Sequence, residues 1–98
     1  MAYKKELLKV KNLNGTRDKE PSGYDSWIEY WESNVEYKAN KCSRCGCNNC
    51  KDLVGAHVKK VYGEDYKHYI VPLCKGCNNL DDEFIVFSEF VPANKNNL

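Results

Sequence analysis

Two cysteine pairs constrain this chain more than any other feature. Cys42-x2-Cys45 and Cys74-x2-Cys77 stand 28 residues apart in a chain of 98 residues. A CxxC turn sets two sulfurs on one side of a tight bend, and two such bends facing each other supply the four soft ligands of a tetrahedral zinc site. A chain this short has a small core, so a structural metal becomes part of its folding free energy, on the order of 10 kcal/mol in comparable sites. The pattern predicts one zinc-binding domain over residues 1–98 with a structural Zn2+.

The compartment expected from the sequence agrees with a metal rather than with disulfides. The opening MAYKKELLKVKN carries no apolar run of signal-peptide length, and no stretch reaches the ~20 apolar residues of a membrane span. A cytoplasmic protein with no membrane partner is expected, and thiols there stay reduced unless a metal or a catalytic role claims them.

A third pair, Cys47-x2-Cys50, leaves the ligand set open. One zinc can use Cys47 in place of Cys45, leaving two spare thiols. Alternatively, a second zinc takes Cys47 and Cys50 with His57 and His68, the only histidines present. A redox use of CNNC lacks the βαβ setting it requires.

The formal charge is +1, distributed unevenly. Residues 1–19 hold six bases and two acids (+4), residues 20–37 five acids and no base (−5), and residues 38–51 four bases and no acid (+4). Attraction to a polyanion therefore needs a local patch. Lys41, Arg44, Lys51, Lys59 and Lys60, around the knuckle and the strand after it, are the candidates.

Residues 1–13 read as a short strand or a frayed arm, and Asn14–Tyr24, dense in turn formers, as a loop. Ser26 with Glu29 caps a helix on which Trp27, Tyr30, Trp31 and Val35 form an aromatic stripe. That stripe reads as core before it reads as a base-stacking platform, because two tryptophans bury more area than anything else here. GAHVKK and HYIVPL read as strands joined by a loop near residues 61–67. Asp81, Asp82 and Glu83 read as an acidic helix start, and FIVFSEFVPANK as a short strand or hairpin.

The pattern C-x2-C, GAHV and YIVPLC-x2-C-N resembles the HNH endonuclease superfamily over residues 41–90. More narrowly, the chain looks like a group of short bacterial HNH-like zinc proteins sharing an SW-x3-W helix (Ser26, Trp27, Trp31), GAHV (Gly55 to Val58), YIVPLC (Tyr69 to Cys74) and FVPAN (Phe90 to Asn94). The resemblance implies a small α+β fold: a treble-clef ββα core at 41–90, an extra N-terminal helix, short C-terminal strands, and an arm and loop over 1–24. It also implies that His57 is the general base and Asn78 the last ligand of a catalytic metal. Two further positions depart from the family. Ala56 stands where the superfamily commonly has Asp or His, and Tyr69 where it has Asn. A hard ion such as Mg2+ wants oxygen ligands and preferably charge; the lone neutral amide of Asn78 would hold it poorly, and Ala56 offers nothing. The expectation is a non-catalytic zinc module binding DNA, RNA or a protein partner, with Arg44, Lys51, Lys59 and Lys60 touching nucleic acid. The alternative is a divergent metal-dependent endonuclease using His57.

Overall fold

The computed structural model describes residues 3–13, 21, 23–62 and 67–93. Most of the Asn14–Tyr24 loop, the middle of the 61–67 loop and Asn94 lie outside the described residues.

Among the described residues seven elements follow in order: β1 (Lys5–Asn12), α1 (Trp27–Val35), β2 (Leu53–Lys60), β3 (Tyr69–Cys74), α2 (Lys75–Asn78), β4 (Phe84–Glu89) and β5 (Val91–Pro92). The strands form one antiparallel sheet in the order β4-β1-β2-β3-β5. The chain is thus a small α+β protein. Of the two readings of residues 1–13, the strand is the one seen, and it lies inside the sheet, between β2 and β4.

The sheet curls, and the cysteine-rich segment joins its far strands. Ser43 N–H donates to Pro72 O on β3 (2.9 Å), while Ser43 O accepts from Phe87 N–H on β4 (3.0 Å). Arg44 bridges Val86, and Cys45 N–H donates to Ile85 O. The concave side gathers Val10, Ala56, Val58, Val71, Leu73, Phe84 and Val86 into one core. The convex side of β3 and β5 packs against α1, where Trp27, Tyr30 and Trp31 enclose Ile70 and Val91. Strand β3 is buried at all six positions because it has a core on each face, which explains its unbroken apolar run.

Helix α1 begins as its sequence predicts, with Ser26 Oγ accepting from Glu29 N–H. The aromatic stripe is core: Trp31 Nε1 donates to Glu89 O (3.0 Å) and Tyr30 OH to Pro92 O (2.6 Å). The close seat of α1 on β2 depends on Gly55, where an added Cβ would lie 2.4 Å from the Trp27 carbonyl carbon.

The acidic helix start is a correction. Asp81, Asp82 and Glu83 open no helix; they lead into β4. FIVFSE alternates buried and exposed positions over its first four residues. That two-residue period in β-branched and aromatic side chains outweighs three exposed acids. Helix α2 is a single turn.

Candidate metal centre

The sulfurs of Cys42, Cys47, Cys74 and Cys77 all lie within 4.8 Å of one another, with Cys47 and Cys74 at 4.0 Å. All six cysteines are free thiols. Cys42, Cys74 and Cys77 are buried and Cys47 is half-buried. Four sulfurs held 2.3 Å from a zinc ion stand about 3.8 Å apart, so the group closes on an ion with displacements of about 1 Å or less. The donor set fits one tetrahedral zinc.

Cys47 occupies the place the first knuckle pattern gives to Cys45, which is exposed and outside the group. The cause is the turn between them. Cys47 N–H donates to Arg44 O (3.0 Å), closing a four-residue bend whose third position, Gly46, has φ +88°. Glycine takes that conformation without strain. Cys45 is left at the outer corner, its N–H spent on Ile85 O, and Cys47 returns toward Cys42. The bend is anchored by Cys42 N–H donating to Asn49 O (2.8 Å). The effective spacing is Cys42-x4-Cys47 with Cys74-x2-Cys77.

Cys74 ends β3 and Cys77 sits on α2. A residue with no sequence signal holds that helix turn in place: Asn12 Nδ2, buried at the end of β1, donates to Cys77 O and Leu80 O, each at 3.0 Å. Nothing local to LKVKN marks Asn12, because both partners are more than 60 residues away.

The thiols compete for ionisation. Burial pushes Cys77 up to about 12, reinforced by Cys74 and Cys42, and burial likewise raises Cys42. Burial also pushes Cys74 upward, but hydrogen bonds from the Cys77 backbone and from Cys77, Cys42 and Cys47 outweigh it and bring Cys74 down to about 7. The group accommodates one thiolate readily and further ones reluctantly. A divalent cation reverses that by making deprotonation of the others favourable.

The other sequence candidates are not drawn to this group. Cys50 is exposed. His57 lies on the convex face with its ring edge-on to Trp27 at 4.5 Å. It is 4% exposed, and its Nε2 has no hydrogen-bond partner. Burial, with His68 second, lowers its pKa to about 4. His68 Nδ1 is also buried without a partner. Among the described residues, no second group of three or more His, Cys, Asp or Glu ligands gathers, and Cys47, Cys50, His57 and His68 are not brought together. Asn78 belongs to α2, whose Cys77 packs in the concave core, the opposite side of the sheet from His57.

The basic candidates Arg44, Lys51, Lys59 and Lys60 also separate. Lys59 and Lys60 are neighbours in sequence and so point to opposite faces of β2. Lys60 turns inward over the rings of Tyr69 (4.4 Å) and Phe90 (5.7 Å), and Arg44 lies over Phe84 (6.0 Å). Lys51 is exposed near the knuckle.

No family model, no curated protein and no solved structure matches this chain. Among the described residues, no helix is long and apolar enough to cross a membrane.

Proposed function

We propose that the chain is a zinc-stabilised binding module with no phosphodiester chemistry of its own, its ion held by Cys42, Cys47, Cys74 and Cys77. The observation that carries this is the convergence of four sulfurs from two distant segments on one point. The order of a cysteine knuckle, the β2–β3 antiparallel pair and a helix turn bearing the second pair is the order of a treble clef, and supports kinship with HNH-like zinc proteins. A non-catalytic role is supported by His57, which packs beneath α1 while Asn78 rides on the other side of the sheet.

Metal quantitation on purified protein tests the ligand set. Wild type and a Cys45→Ser/Cys50→Ser variant are expected to hold one zinc per chain, and Cys47→Ser to lose most of it. Full zinc in Cys47→Ser, or none in wild type, overturns the assignment. A plasmid-nicking assay with magnesium, manganese and nickel tests the other half: cleavage abolished by His57→Ala defeats the non-catalytic reading.

A further inference from the structure

We propose that the convex face of β1 and β4, exposed from Ile85 to Phe87, binds single-stranded nucleic acid, with Phe87 and Tyr62 stacking bases and Lys5, Lys9, Lys11 and Lys59 meeting phosphates. This deepens the binding-module reading and rests on it, since it requires the sheet that the metal helps to order.

Helix α1 packs on the convex side of β2, β3 and β5 and reaches β4 at its last residue, where Trp31 bonds Glu89 O. On the same side, the register sets Leu7 opposite Phe87, Lys9 opposite Ile85, and Lys11 opposite Lys59. The apolar members are open to solvent: Leu7 is 63% exposed, Phe87 51% and Ile85 38%, and nearby Tyr62 is 72% exposed. Contiguous exposed apolar area on a small sheet marks an interaction surface.

Charge selects the partner. Four lysines share this face, two of them directly opposed across β1 and β2, an arrangement that costs stability unless an anion lies between them. Lys5 does not turn to Glu89, its cross-strand neighbour. Its Nζ stands 5.6 Å over the Phe87 ring, while Glu89 bonds Tyr37 through Oε2 and has no partner at Oε1. Lys9 likewise stands 5.7 Å over Tyr62. Cation and ring therefore alternate along the strand, the pairing a single strand needs: a π-face for a base beside a positive charge for its phosphate. From Lys5 to Lys11 the strand runs about 20 Å, enough for on the order of four nucleotides. A duplex keeps its bases stacked inside and would leave Phe87 and Tyr62 unused.

The test is fluorescence anisotropy of zinc-loaded protein with a labelled twelve-nucleotide oligothymidine and a hairpin duplex of similar length, over a salt series. Four phosphate contacts give a log-log salt slope of about −3, a loss of about fifty-fold in affinity between 50 and 200 mM salt. Phe87→Ala is expected to weaken oligothymidine binding about tenfold, and Lys9→Ala/Lys11→Ala to reduce the slope by about half. Lys51→Glu, a charge change at the knuckle, should have little effect. Zinc content and circular dichroism of each variant separate loss of the surface from loss of the fold. The proposal is overturned if the zinc-loaded, folded protein does not bind, if the duplex binds equally well and Phe87→Ala changes nothing, or if Lys51→Glu is as damaging as the lysine pair. It is equally overturned if the face proves to join two copies, seen as a concentration-dependent dimer that Phe87→Ala dissolves.

Discussion

Cys45 and Cys47 carry the same side chain two positions apart, and a glycine with positive φ between them decides which one turns toward the other three sulfurs. Two other side chains yield predictions at this scale. His57 has a folded pKa of about 4 against an ordinary value of 6.5. The unfolded chain therefore takes up its proton first as pH falls. The stability contribution is intact above pH 6.5 and is lost progressively down to about pH 4, by about 2 kcal/mol at pH 5. Urea unfolding of wild type and His57→Leu at pH 7.5 and 5.0, with zinc content checked at both, should show wild type losing about 2 kcal/mol more than the variant; equal losses would contradict the assignment. Asn12→Ala removes both hydrogen bonds to the carbonyls of Cys77 and Leu80. It is expected to cost about 1–3 kcal/mol and to weaken zinc retention against a competing chelator, because the turn bearing Cys77 loses its tether.

Helix α1 and strand β2 meet through the absence of a side chain. Gly55→Ala would drive a methyl group into the Trp27 backbone, and a helix must move to admit it. The expected loss is about 1–3 kcal/mol, read as a lower midpoint in thermal unfolding, with zinc stoichiometry unchanged because the four sulfurs lie across the sheet. Elements like α1 were legible in the sequence because their signals are local: a cap, a helical stripe, an apolar run for β3. Strand β1 was ambiguous because its pairing with β4 depends on residues between 74 (Val10 to Phe84) and 84 (Lys5 to Glu89) positions away. The acids at 81–83 misled for the opposite reason, a strong local signal overridden by the strand that follows. At the site, Cys42, Cys74 and Cys77 were readable from spacing. The choice of Cys47 over Cys45 rested on a backbone angle at Gly46, and the lysine-aromatic face on a register no local pattern encodes.

For the whole molecule, the two cores share β3, and the four-cysteine group stands at its end. A domain of this size has about 5–15 kcal/mol of net stability, and a structural zinc supplies on the order of 10 kcal/mol. Exhaustive chelation is expected to abolish the cooperative thermal transition, and added zinc to restore it; a chain that melts at the same temperature after its ion is stripped would show that the aromatic core suffices. One residue adds a consequence beyond thermal stability. Ser43 hydrogen-bonds β3 and β4 at once, one position from Cys42, so loss of an ion held there would free a flank of β4 whose amides and carbonyls then seek another chain. Oxidative or chelating stress is therefore expected to produce insoluble, intermolecularly hydrogen-bonded material, detectable by light scattering.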